Sequence, residues 1–115
     1  MHELSVALSL IEGIQESALS GGFERVLAVR VRVGALSGIS PDALRFSWQL
    51  ASVGTLAADS SLEIEDVPLV VFCAYCETER TPHPGTGLIC PECTNVAPTI
   101  VRGRDLQLVA VEVPE

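Results

Sequence analysis

Two cysteine pairs constrain this chain more than any other feature. Cys73-Ala74-Tyr75-Cys76 and Cys90-Pro91-Glu92-Cys93 are separated by thirteen residues. A two-residue gap lets both thiolates of a pair face one ion through a tight turn, and two such turns complete the tetrahedral sulfur cage that zinc prefers. Pro82, Pro84, Gly85 and Gly87 suit a loop at the end of a short hairpin. Four sulfurs close the coordination shell, so the pattern points to structural zinc and away from a zinc hydrolase, which keeps one position for water. A dithiol redox site is the other rival. It needs a pair at the start of a helix after a strand, whereas Pro91 and its neighbours give no helix and two pairs are present. A segment of this length has too little core to fold alone, and zinc can supply about 10–16 kcal/mol of apparent free energy at neutral pH.

The flanking sequence reads as one α+β domain. Leu4, Ala7, Leu8, Ile11, Ile14 and Ala18 form a helical stripe that Gly21-Gly22 stops. Leu27, Val29, Val31 and Val33 then alternate with Arg30 and Arg32, as in a half-buried strand. Ser40-Pro41-Asp42 reads as an N-cap, a proline in the first turn and an acid beside it, opening a second helix with Leu44, Trp48 and Ala51 inward. Leu62, Ile64 and Val67 mark a second strand. A late strand from Asp105 to Val113 has no neighbour in sequence and is expected to return to the sheet of the first two, which makes the cysteine segment an insertion. The expected architecture is two helices packed on a three-stranded sheet, formed by residues 1–69 and 102–115, with an inserted zinc ribbon at 70–101.

Charge narrows the function. The net charge is −8, all seven cations are arginines, and lysine is absent. That excludes a lysine Schiff base and a P-loop lysine within the chain, and it disfavours nucleic acid and anionic membrane. A zinc-ribbon nucleic-acid module is the rival reading. It needs clustered cations, yet residues 71–101 hold only Arg80 against Glu77, Glu79 and Glu92. No histidine pairs with a nucleophile and the carboxylates are scattered, so an enzyme is not expected. The longest uncharged stretch, Phe46 to Ala58, is too short and polar to span a membrane. With no positive region at the amino terminus, a cytoplasmic location is expected.

One of the two histidines is residue 2. The α-amine of Met1, the amide nitrogen of His2 and the His2 imidazole lie along one short segment and can close two small chelate rings on a divalent metal. With the amide deprotonated the donors can be coplanar, which suits Ni(II) and Cu(II). Glu3 can add an oxygen or orient the imidazole. Read alone, the same residues also describe a solvated chain end. His83, in the proline-rich loop, reads as a solvent-exposed residue with a transient ligand role as the alternative.

Met1-His2-Glu3-Leu4-Ser5, Val33-Gly34 followed by Leu36-Ser37-Gly38-Ile39, Pro41 through Phe46, Gly54-Thr55, the paired cysteines and Gly103-Arg104-Asp105-Leu106 together resemble the HypA/HybF nickel chaperones of nickel–iron hydrogenase maturation. The resemblance covers essentially the whole chain. It implies a non-enzymatic metallochaperone: Ni(II) held as transient cargo by Met1, His2 and Glu3, and structural Zn(II) held by Cys73, Cys76, Cys90 and Cys93. The implied partners are the maturation GTPase and the hydrogenase large-subunit precursor, with urease maturation proteins for some members. Monomer and homodimer both remain open. Two departures stand out. Glycine commonly follows the second cysteine of each family pair, where this chain has Glu77 and Thr94. Where some members carry an acidic nickel contact before the second helix, it has Ser40, with Asp42 two residues on and most simply read as a helix N-terminal charge.

Overall fold

The computed structural model describes residues 2–115. In chain order the elements are α1 (Glu3–Gly21), β1 (Ala28–Gly34), α2 (Pro41–Ala51), β2 (Ser61–Val67), β3 (Val70–Cys73), β4 (Thr78–Arg80), β5 (Thr99–Arg102) and β6 (Leu106–Glu112). They form two three-stranded sheets, ordered β2-β1-β6 and β4-β3-β5. The late strand does return: β6 lies antiparallel to β1 on the side away from β2, while β1 and β2 run parallel through the α2 crossover. The chain extends over 52 × 24 × 17 Å with a radius of gyration of 17.3 Å. A compact chain of this length would have about 13 Å. The cysteine-bearing sheet therefore projects from the first one instead of covering it.

Both helices lie on one face of the first sheet. Val29, Val31 and Val33 point into them and are fully or almost fully buried, packing with Ala7, Ile11, Ile14, Leu44 and Trp48. The Trp48 indole N–H donates to Ser60 Oγ at 3.0 Å, so its polar edge is satisfied inside the core. Arg30 and Arg32 take the opposite face and pair with Glu63 and Glu65 across the strands. All four are about half exposed, so each pair contributes at most about 1 kcal/mol. Ser40 caps α2 by accepting from the Ala43 N–H at 3.3 Å, and Gly22 closes α1 at φ 72°.

Three details of the sequence reading change. The buried stripe of α1 is rotated: Leu4 and Leu8 are 36% and 51% exposed, and Val6 and Leu10 take their place. The helix gains more by turning this flank toward Ile39 and Leu106, which with Val6 and Leu10 line one cleft. Leu27, expected inward, is 40% exposed because the chain bends there and Val26 fills the interior position. The two parities in the last strand have a structural cause as well. Val31 pairs with Leu108 but Arg30 with Ala110, so Val109 is an extra residue that lets both Leu106 and Val111 face the core.

Backbone meets backbone where the two sheets join. A Cβ on Gly103, which sits at φ 94°, would lie 2.5 Å from the Pro68 carbonyl oxygen, and one on Gly34 would lie 2.5 Å from the Gly103 backbone. Leu36 N–H donates to the Gly103 oxygen at 2.8 Å, and Ala35 N–H to that of Val67 at 3.0 Å. Neither glycine can carry a side chain without parting these strands. Gly103→Ala should therefore cost about 2–3 kcal/mol in chemical denaturation. Gly13→Ala, in open space within α1, should instead stabilise the chain by about 0.5–1 kcal/mol. Equal behaviour of the two variants would contradict the packing described at the junction.

Candidate metal centre

The four cysteines come together. Cys73 ends β3 and Cys76 lies in the turn to β4, while Cys90 and Cys93 sit in a second turn closed by Cys90 N–H to Asn95 O at 2.9 Å and Thr94 N–H to Cys90 O at 3.0 Å. Their four sulfurs lie within 4.8 Å of one another, with Cys73 Sγ 3.5 Å from Cys93 Sγ and Cys76 Sγ 3.9 Å from Cys90 Sγ. Zinc–sulfur bonds of about 2.3 Å in a tetrahedron place sulfurs roughly 3.8 Å apart. The cage thus has the size and donor chemistry of a structural zinc site.

Each turn demands a left-handed residue directly after its second cysteine. Glu77 has φ 55° and Thr94 φ 63° at those positions. Glycine would adopt these angles without strain, and a β-branched threonine does so least willingly. The departures noted in the sequence therefore change the strain of the turns while leaving the sulfurs in place.

The environment divides the thiols. Cys93 is drawn down to about 6 by the backbone N–H of Asn95 and by the Asn95 side chain, whose Nδ2 lies 3.4 Å from Sγ. Cys90 is lowered too, through the backbone N–H groups of Cys93 and Glu92 acting against burial. Cys76 feels the downward pull of Arg80, but burial and its three thiol neighbours outweigh it and push it up to about 11. The second turn is thus preset toward thiolate, whereas Cys76 holds its proton at neutral pH.

Arg80 was legible only as the lone cation of this segment. In the structure it pairs with Val71 across β3 and β4, so its side chain shares the face of Val71 and Cys73. Cys76 and Cys90 push the Arg80 guanidinium pKa up, and its Nε is buried without a hydrogen-bond partner. Strand parity from Thr78 to Arg80 was the signal that could have found it.

At the other end of the chain, Met1 falls outside the described residues. His2 is exposed and extended at φ −77° and ψ 133°, and its carbonyl accepts the first helical bond from Val6 N–H at 3.1 Å. Glu3 Oε2 accepts from the Ser40 N–H at 3.2 Å. That contact holds the Glu3 carboxyl below its usual range and ties the start of α1 to the cap of α2. Asp42 is 97% exposed and bound to Arg45 at 3.1 Å, which suits its reading as a helix N-terminal charge. His83 is exposed in its loop.

Two helices on a three-stranded sheet, with a second small sheet built around four thiols, define a small α+β protein with a site for structural zinc. The family model described as hydrogenase/urease nickel incorporation metallochaperone HypA matches residues 1–113. The chain belongs to the HypA family. It is 45% identical to the hydrogenase maturation factor HypA of Chloroflexus aurantiacus over 114 residues, 99% of this chain and 100% of that one. The corresponding protein of Roseiflexus is 43% identical over 112 residues, covering 97% and 91%. Among solved structures, the solution structure of the nickel metallochaperone HypA from Helicobacter pylori superposes with a TM-score of 0.68 at 24% identity, covering 98% and 97% of the two chains, and so shares the fold. No helix among the described residues is long and apolar enough to cross a membrane.

Two outcomes follow from the geometry. Zinc uptake at about pH 7 should release protons, seen as a binding heat that depends on the buffer, because Cys76 must deprotonate to ligate; apparent affinity should rise as pH rises. Uptake without proton release would contradict the thiol assignment above. Thr94→Gly should stabilise the zinc-loaded protein by about 0.5–1 kcal/mol by relieving the left-handed strain.

Proposed function

We propose that this chain is a nickel carrier that takes one Ni(II) at its amino terminus and delivers it during hydrogenase maturation. The observation that carries the reading is the match to a nickel-incorporation family over residues 1–113, a span that includes the terminal ligand set. In this reading the cargo is held by the α-amine of Met1, the amide and imidazole of His2, and Glu3. Cys73, Cys76, Cys90 and Cys93 hold zinc, which when bound cross-links the two turns of a ribbon module spanning 70–101. The partners we propose are the GTPase of hydrogenase maturation and the large-subunit precursor, with the exchange taking place in the cytoplasm.

The local geometry suits a carrier. Helices α1 and α2 begin side by side, tied through Glu3 and Ser40. Their positive N-terminal dipole ends converge there and disfavour a bare cation. Negative charge from Glu3 and from the deprotonated His2 amide must offset them, so the hold on nickel is modest and reversible. Donors on a single short segment can also leave one at a time. The Glu3–Ser40 contact is present above the ordinary carboxylate range and is lost as pH falls through the lowered value, so acid both protonates the nitrogen donors and loosens the anchor.

The terminus also lies beside the junction to the zinc module. Parallel strands β1 and β2 end at the same edge, and Gly34, Ile39 and Pro41 line one cleft with Val67 and Pro68. A change in how the terminus is held can therefore press on the chain entering β3. This supports a messenger role for the module, beyond its scaffold role.

The test is nickel titration by calorimetry on untagged, zinc-loaded protein beside His2→Ala and beside a chain extended by a few residues at the amino terminus. The native chain should bind one nickel ion, and both altered chains should lose that binding. Equal binding by all three would place the nickel elsewhere. Silence from all three would leave a zinc-ribbon binding module without nickel transfer.

A further inference from the structure

We propose that Arg80 is the counter-cation of the zinc centre, holding the metal by donating N–H groups to the sulfurs of Cys76 and Cys90. The inference rests on the zinc reading above and adds a residue to it.

The argument begins with the cost of the residue. The small core of this module consists of Val71, Cys73, Cys90 and Ala97, with Cys76 and Cys93 packed against them. Arg80 shares that face, since it pairs with Val71. An arginine stem can lie along apolar surface while its head reaches water. Here, however, Nε itself is closed off from solvent and has no hydrogen-bond partner. A guanidinium whose Nε is closed off without an anion is unfavourable.

The carboxylates of the segment cannot supply that anion. Glu79 alternates to the opposite face of β4 and pairs with Arg102 at 3.2 Å, while Glu92 is exposed in the second turn. Glu77 is exposed in the first turn and forms no ion pair with Arg80. What lies on the face that Arg80 shares is the four-sulfur cluster, and Cys76 and Cys90 are the groups that raise its own pKa. A divalent ion on four thiolates keeps two net negative charges, and one arginine removes half of that excess. The attraction is strongest when the centre is loaded, so Arg80 favours retention of the metal over its loss. Hydrogen bonds to sulfur also lower the electron density that the sulfurs present to the metal and to electrophiles.

Arginine suits the task better than lysine because its planar fork presents several N–H donors in fixed directions, enough to reach two sulfurs at once. The chain has only seven cations and no lysine, and this is the single cation between residues 71 and 101.

The experiment compares wild type with Arg80→Met, which keeps an apolar stem, and Arg80→Lys, which keeps the charge without the fork. Zinc loss to the chromogenic chelator 4-(2-pyridylazo)resorcinol should be about tenfold or more faster in Arg80→Met and intermediate in Arg80→Lys. Refilling the site with Co(II) gives a readout that mere structural support would not move. The sulfur-to-cobalt charge-transfer band should shift to lower energy in Arg80→Met, and alkylation of the loaded cysteines by iodoacetamide should be faster. Should Arg80→Met fail to fold with metal present, Arg80→Gln carries the same readouts. Wild-type release rate and wild-type cobalt spectrum in a folded, loaded variant would overturn the proposal. A wild-type chain that takes up no zinc would instead overturn the zinc reading and the proposal with it.

Discussion

The whole second sheet depends on two short turns meeting at one point. The second sheet's buried cluster is Val71, Cys73, Cys90 and Ala97, with Leu69, Leu88 and Ile100 partly buried against it, and half of the buried four are cysteines. Three strands of three or four residues each cannot hold themselves together by apolar burial at roughly 25 cal/mol per Å². The gathering of four sulfurs into one cage supplies the missing constraint, and other features of the segment serve it. Glu77 and Thr94 accept left-handed backbone so that each turn can close, Asn95 donates to Cys93, and Arg80 shares the face of Val71 and Cys73.

The first sheet and its helices are organised by ordinary means and meet the second sheet at a tight place. Its core is the valine face of β1 under two helices, with Trp48 anchored by Ser60. The junction with the cysteine sheet is built from backbone, since Gly34 and Gly103 leave no room for a side chain. A junction of that kind transmits displacement instead of absorbing it. The proposed nickel terminus sits at the same edge of the sheet, held by a single carboxylate contact to Ser40. The proposed cargo site and the four-thiol sheet are thereby mechanical neighbours, although their residues are far apart in sequence.

Local chemistry was readable in the chain, and relations across distance were not. The cysteine turns, the Ser40 cap, the Gly22 stop and the return of β6 each follow from a pattern within a few residues or from the lack of any nearer partner. The rotation of α1 is different, because Val6 and Leu10 are chosen over Leu4 and Leu8 by Ile39 and Leu106, which arrive from elsewhere. The bulge at Val109 announced itself as a change of parity, but its meaning needed the register against β1. Arg80 and the Glu3–Ser40 contact were hidden for the same reason: each depends on which residue a strand pairing or a loop brings opposite. Composition alone would even have placed Arg80 on the surface.

Two metal sites of opposite character in one small chain are the central claim, hard nitrogen and oxygen donors for cargo and soft sulfur donors for structure. X-ray absorption at both metal edges of protein loaded with one zinc and one nickel tests it most directly. The expected result is four sulfur neighbours around zinc at about 2.3 Å and a nickel shell of nitrogen and oxygen without sulfur. A sulfur shell around nickel would contradict it, because the cargo would then be competing for the cage that holds the second sheet together.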